Sequence, residues 1–143
     1  MKRYLPLILV SAAVACSSGG GSSAPSTAPS TNPVLPPTVD TFSGTVHVGG
    51  SDSNPFVVAL SNGQLTATLT AAGPPPTISM GLGIGTPANG ACTVSTNASY
   101  VGPAGPTPQL SGTGISAGTY CVLVYDAGNQ SADVTYTAVV THY

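Results

Sequence analysis

The chain has 143 residues, of which only 4% are charged, against roughly 25% in an average soluble protein. Lys2 and Arg3 are its only Lys and Arg residues, and its acidic residues are four Asp. Because proteins bind nucleic acids and anionic lipids through cationic side chains, the rest of the chain has no means of binding either, and it offers no Arg or Lys clamp for phosphate. Gly (18) and Pro (14) are abundant, which favours short strands and many turns.

Residues 1–15 predict a signal peptide. After a short positive start, the apolar stretch 4–14 is too short to span a bilayer as a helix, which takes roughly twenty residues. Residues 13–16, Ala-Val-Ala-Cys, resemble the bacterial lipobox, whose cysteine receives a diacylglyceryl group and becomes the new N-terminus. The resemblance implies a lipid anchor on Cys16. The same residues also satisfy the small-x-small rule of ordinary signal peptidase, so a free secreted protein is the alternative.

Residues 16–37 predict a disordered linker. They are almost wholly Ser, Thr, Pro, Ala and Gly, with little apolar surface to offset the entropy of ordering the backbone. As a coil, about twenty such residues average roughly 25 Å from end to end, which holds a domain clear of the membrane. Ser17 stands where Asp signals inner-membrane retention in some lipoproteins, so the family resemblance favours the outer membrane.

Residues 38–143 predict one all-β domain. Apolar residues recur at every second position between clusters of Gly, Pro and Asn, as in 64–70 and 77–84. No stretch has a sustained helical period. The predicted strands are 41–48, 56–60, 64–70, 77–84, 92–96, 118–125 and 133–141. Seven to eight strands over this length predict a single antiparallel β-sandwich.

Three segments between strands predict turns. Asn62-Gly63 suits a turn with positive φ. Residues 126–129 are expected to turn the last two strands into a hairpin. Residues 112–118 are rich in glycine but lack the spacing and the lysine of a phosphate loop, so we interpret them as a turn.

An exported protein with three cysteines can form only one disulfide within the chain, so one cysteine is expected to have another role. If Cys16 carries lipid, Cys92 and Cys121 remain as a pair and should form a disulfide in an oxidising compartment. The bond would join the fifth predicted strand to the sixth, or bridge the two sheets. A zinc site is the poorer alternative, because neither cysteine has a further Cys or His at short spacing.

Several segments of the domain together resemble the bacterial pre-peptidase C-terminal domain. They are Phe-Ser-Gly-Thr-Val at 42–46, Leu-Thr-Ala-Thr-Leu-Thr at 65–70, a Gly-x-Tyr strand running into Asp-x-Gly-Asn at 118–129, and a last strand that ends at 142. The resemblance covers about residues 40–143. It implies a jelly-roll-type β-sandwich without catalytic activity, which in that family is sometimes implicated in binding substrate, carbohydrate or calcium.

The residues themselves predict no enzyme. A hydrolase of the Ser-His-Asp kind needs a nucleophile on a constrained turn with His and Asp in reach, and the chain offers only two His and four Asp. We interpret His47 and His142 as satisfied or solvent-facing side chains. The four Asp fall near predicted strand ends, where Asp commonly serves turns.

Two weak ligand sites follow from the sequence. Asp126, Asn129 and Asp133 cluster around one predicted turn and provide the oxygen ligands that calcium prefers, although a plain turn explains them as well. Tyr100, in the predicted loop 99–108, is the aromatic residue expected to be exposed for a glycan. No other cofactor is expected.

The sequence therefore favours a non-catalytic lipoprotein of the cell envelope, with a structural or protein-interaction role. The alternative is an accessory module that binds an extracellular glycan or calcium.

Overall fold

The computed structural model describes residues 35–143. The predicted signal peptide, Cys16 and most of the predicted linker lie outside the described residues. Within 35–143, no helix is long and apolar enough to cross a membrane. The strands are β1 (Thr38–Val46), β2 (Ser51–Val58), β3 (Gly63–Gly73), β4 (Ser79–Ala88), β5 (Ala91–Pro103), β6 (Leu110–Ile115), β7 (Gly118–Asp126) and β8 (Val134–His142).

The eight strands form two four-stranded sheets. The first sheet has the order β1-β8-β3-β6 and the second has the order β2-β7-β4-β5. All neighbours are antiparallel. Among these strands, only β4 and β5 form a hairpin within one sheet, and every other connection passes to the opposite sheet. This is the strand order of a jelly roll, so the predicted fold class is confirmed.

The core lies between the sheets and follows the period of two that the sequence shows. Leu65, Ala67 and Leu69 point inward from β3, and Met80 and Leu82 point inward from β4. Alternation of this kind places one face of each strand in the core. The largest fully buried side chains are Leu69, Met80, Leu82, Val46, Val58, Val122, Val124, Val134 and Val140.

The connection between β5 and β6 covers part of the edge of β3. The N–H of Gly105 donates to the carbonyl of Leu69, and the N–H of Gln109 donates to the carbonyl of Ala67. The Gln109 side chain accepts a 2.7 Å hydrogen bond from the N–H of Leu69. With this segment on one side and β8 on the other, Thr68 is almost fully buried although it points away from the core.

Residues 112–118 were predicted to form a turn, but most of them lie in β6. Gly112 pairs with Leu65 of β3, and Leu110 pairs with Ala67. Ile115 packs against the core. The prediction was wrong because this short strand is rich in glycine and has apolar residues only at its two ends, so it lacks the alternating pattern of a strand.

The predicted hairpin between the last two strands is also wrong, because β7 and β8 belong to different sheets. The connection 127–133 crosses from one sheet to the other. Gln130 in this connection is buried, and its amide lies 3.5 Å from the carbonyl of Val46 and 3.6 Å from the sulfur of Met80. This anchor draws the connection over the end of the sandwich.

Candidate functional site

Cys92 of β5 and Cys121 of β7 form a disulfide, with their Cα atoms 5.8 Å apart. Both strands belong to the second sheet, in which β4 lies between them. Cys121 is opposite Gly85 of β4, where a Cβ would overlap the backbone of Thr93, so β5 passes very close to β4 here. The disulfide therefore joins the predicted fifth and sixth strands and does not bridge the sheets.

Asp126, the first of the predicted calcium ligands, is occupied by backbone N–H groups. Its Oδ2 accepts a 2.8 Å hydrogen bond from Gly49 in the turn between β1 and β2. Its Oδ1 accepts bonds of 2.8, 3.2 and 3.3 Å from Gly128, Asn129 and Gln130. These bonds, that from Gly49 first, lower the pKa of Asp126. The carboxylate thus holds two connections together.

The other two predicted calcium ligands do not join Asp126 around a common point. Asn129 contributes its backbone N–H to Asp126. Asp133 pairs with His47, whose Nδ1 lies 2.8 Å from its Oδ2, and both side chains are exposed. Within residues 35–143, no group of three or more His, Cys, Asp or Glu is placed to hold a metal. Calcium binding at these residues stays a prediction.

Tyr100 was predicted to lie in a loop, but it lies in β5, which extends to Pro103. Its ring is half-buried and packs against the core, opposite Leu82 of β4. Its hydroxyl donates a 3.3 Å hydrogen bond to the carbonyl of Pro103. Tyr100 is thus engaged within the fold, and a glycan-binding role for it stays a prediction.

Asp40 and Asp52 lie near the starts of β1 and β2, as predicted, but each pairs with a side chain of β8 and neither serves a turn. Asp52 of β2 accepts a 2.8 Å hydrogen bond from the hydroxyl of Tyr136 of β8, which in turn accepts one of 3.0 Å from Asn54. Gly44 of β1 leaves the space for this pair, because a Cβ there would overlap Asp52 and Tyr136. Burial, with the Asp52 carboxylate, raises the pKa of Tyr136.

Asp40 of β1 pairs with His142, near the end of β8. The Nε2 of His142 lies 2.9 Å from the Oδ2 of Asp40, and the His142 ring lies 5.4 Å from that of Phe56. His142 is only 2% exposed, and within the described residues its Nδ1 is buried without a hydrogen-bond partner. The prediction of a satisfied side chain therefore holds for Nε2 and not for Nδ1, and the burial of the ring was not predicted.

An apolar opening lies where the edge strands β5 and β6 face each other across the two sheets. Each of these strands pairs with one neighbour only, β5 with β4 and β6 with β3. Two adjoining cavities, of about 190 and 280 Å³, lie between them and share Ile84, Ala98 and Ile115. We call this opening the open-edge cleft. Its lining is completed by Leu65, Asn97, Leu110, Ser111, Gly112, Gly85, Thr86, Thr93, Ser95 and Tyr120.

The open-edge cleft suits an apolar side chain. Each of its two cavities is smaller than the roughly 300–1,000 Å³ typical of a site that encloses a whole small molecule. No charged residue lines either cavity. The sequence did not predict the cleft, because the glycines of residues 112–118 are typical of a turn and not of the strand that forms one side of it. The available signal was the apolar pair Leu110 and Ile115, which frames a six-residue stretch without charge or proline.

No family model matches the chain, and no curated protein matches it. The solved structures to which the chain is similar include two of PliG, a periplasmic lysozyme inhibitor of g-type lysozyme. The Aeromonas hydrophila protein has a TM-score of 0.46 and 12% identity, over 73% of this chain and 86% of that chain. The Salmonella Typhimurium protein has a TM-score of 0.42 and 12% identity, over 73% and 87%. Similarity at this level assigns no function to this chain.

Proposed function

We propose that this chain is a cell-envelope lipoprotein, anchored through Cys16, whose β-sandwich is a non-catalytic module that docks an extended segment of another envelope protein along β6. The observation that carries the proposal is the open-edge cleft. Apolar side chains of the core reach the surface there, beside a strand that has one free edge.

The free edge of β6 provides the backbone contacts. An edge strand presents unpaired N–H and C=O groups, and proteins normally protect such an edge with charged residues, proline or bulges. The six residues of β6, Leu-Ser-Gly-Thr-Gly-Ile, contain no charge and no proline. A bulge at Gly114 interrupts the pairing with β3 near the end of the strand, whereas residues 110–113 pair regularly and leave a regular free edge. An added strand would satisfy these backbone groups, as in known cases of strand addition.

The cleft provides the specificity. Alternate side chains of an added strand point to the same side, so an apolar residue of the partner can enter between Ile84 and Ile115. A charged residue at that position would lose its hydration without gaining a counter-ion, because the lining is uncharged. The partner segment is therefore extended and carries an uncharged, apolar residue at its centre.

The proposed location is supported by the disulfide between β5 and β7, since disulfides persist in oxidising compartments outside the cytoplasm. The lipid anchor rests on the sequence of residues 13–16. A tethered module meets its partners at the membrane surface, where even weak docking is effective because the local concentration is high.

Photo-crosslinking in the native host tests the docking site. A photo-reactive residue replaces Thr113, which is exposed on β6, and the control replaces Thr45, which is exposed on the opposite edge of the same sheet. We expect one protein to crosslink from position 113 and not from position 45. That protein, once purified, should bind the wild-type domain at least about tenfold more tightly than the Thr113→Lys variant, which places a charge on the free edge.

Thr45→Lys is the matched control, and it should bind as the wild type does. Equal crosslinking from both positions, or binding that Thr113→Lys leaves unchanged, would contradict the proposal. Crosslinking of position 113 to a second copy of the chain would show that β6 mediates self-association, and it would contradict docking of another protein at this edge. If the partner is a lysozyme, its inhibition by the domain can be measured with the same two variants.

A further inference from the structure

The outer face of the second sheet carries the ring of Tyr125, which is not part of the core. Tyr125 of β7 lies in register between Ser51 of β2 and Gly81 of β4. A Cβ on Gly81 would overlap the Cζ, Cε1 and Cε2 atoms of Tyr125 at nearly equal distances. Such a point lies on the axis of the ring, so the ring lies face-on over Gly81. One face of the ring rests on the sheet, and the other face is turned away from it.

Glycines of β4 make the space for this arrangement. Gly81, Gly83 and Gly85 alternate with the core residues, and Val94 lies over Gly83 as Tyr125 lies over Gly81. Glycine inside a strand costs about 0.5–1 kcal/mol relative to alanine, because more backbone entropy is lost on folding. Glycines in a strand often mark the close approach of another backbone or a ligand. At Gly81, the absence of a side chain allows the flat ring of Tyr125 to lie on the sheet.

An open depression of about 370 Å³ borders the ring, within the size range of small-molecule sites. Its lining combines hydroxyl groups with apolar groups and carries no charge. The lining residues besides Tyr125 are Cys92, Val94, Ser95, Thr96, Ser99 and Leu123. Because Cys92 belongs to the disulfide, one wall of the depression is fixed to β7.

The hydroxyl of Tyr125 is free to bind a ligand. The hydroxyls of Tyr100, Tyr120 and Tyr136 donate to Pro103, Ser116 and Asp52, respectively. Within residues 35–143, the Tyr125 hydroxyl has no such partner.

We infer that Tyr125 and the adjoining depression form a binding site for a neutral glycan. A pyranose ring has an apolar C–H face that packs on an aromatic ring and a rim of hydroxyls that exchange hydrogen bonds with Ser, Thr and Tyr. The site has these two parts and, lacking charge, excludes anionic sugars from ion pairing. This site borders the open-edge cleft, with which it shares Ser95, but it lies on the outer face of the sheet and does not depend on the proposed function. With one aromatic ring we expect weak binding of an oligosaccharide, with a Kd on the order of 1 mM.

Titration of the isotopically labelled domain with cellohexaose and chitohexaose, followed by NMR, tests the site. Either neutral sugar should shift the Tyr125 ring signals and the Ser95 to Ser99 amides, and Tyr125→Ala should weaken binding at least about tenfold. Gly81→Ala, which displaces the ring without removing it, should also weaken binding. An oligogalacturonate of the same length should not bind.

Thr113→Lys is the matched control, and it should bind the sugars as the wild type does. Failure of Thr113→Lys to bind its protein partner would then concern the proposed function alone. The inference is overturned if neither neutral sugar shifts the Tyr125 signals at millimolar concentration, or if Tyr125→Ala binds as tightly as the wild type.

Discussion

The hydroxyl of Tyr136 in β8 donates a hydrogen bond of 2.8 Å to the Oδ2 of Asp52 in β2, and so joins the two sheets of the sandwich. Tyr136 is buried, and Asp52 has no other side-chain partner within residues 35–143. Removing the hydroxyl leaves a half-buried carboxylate without its donor. This is the costly case for a hydrogen bond, because the desolvation of the remaining partner is no longer offset.

Tyr136→Phe should therefore lower the free energy of unfolding by about 1–3 kcal/mol. Urea unfolding measures the change. Tyr143→Phe is the matched control, since the side chain of Tyr143 makes no hydrogen bond within the described residues, and its effect should be within about 0.5 kcal/mol. A loss in Tyr136→Phe no larger than that of the control would show that the bond contributes little.

The same pair predicts a loss of stability at alkaline pH. Burial and the Asp52 carboxylate raise the pKa of Tyr136 in the folded protein, whereas an unfolded tyrosine titrates near about 10. The stabilising contribution of the neutral phenol is thus complete below about pH 10 and is lost as the pH rises above it. Unfolding free energies between neutral pH and pH 11 should fall more steeply for the wild type than for Tyr136→Phe. Parallel curves would exclude a shifted Tyr136.

The Cys92–Cys121 disulfide should account for much of the stability of this small domain. It spans 29 positions of the sequence, and on the chain-entropy model a loop of this length contributes roughly 3.5 kcal/mol. The double variant Cys92→Ala/Cys121→Ala should lose about that amount in urea unfolding, and a reductant should leave it unaffected. If the reduced wild type were as stable as the oxidised protein, the predicted contribution would be wrong.

The lipid anchor predicts a specific mass for the mature protein. Protein purified from the membranes of its host should begin at Cys16 and carry the added acyl groups, and reduction should add the two hydrogens of one disulfide. Cys16→Ser should be absent from the membrane fraction. An unacylated chain in the medium would instead support secretion by ordinary signal peptidase.

The sequence predicts the fold class because the period of two is clear where core strands are long, as in Leu65, Ala67 and Leu69. It does not predict which sheet a strand joins. The turn chemistry of Asp126 is the same whether the chain reverses within a sheet or crosses to the other, and the buried Gln130 that directs the crossing has no local signature. Glycine-rich β6 was missed because its pairing with β3 depends on a distant strand.

The candidate sites were harder to predict than the fold. The register of a strand decides whether a tyrosine in it points toward the core or toward solvent. The pairing of β4 with β5 changes register between Gly83 and Gly85 of β4. That shift and the length of β5 put Tyr100 against the core, while the regular alternation of β7 puts Tyr125 on the surface. The disulfide was predictable from the number of cysteines and the predicted export of the chain.

Hydrogen exchange along β6 tests the docking proposal most directly. The amides of residues 110–115 would be compared in the isolated domain and in the protein extracted with its native envelope partners in mild detergent. We predict slower exchange in β6 within the extract, because an added strand pairs with the free edge, and unchanged exchange in β2, which lies at an edge of the other sheet. Equal exchange of β6 in the two samples would contradict docking along this strand.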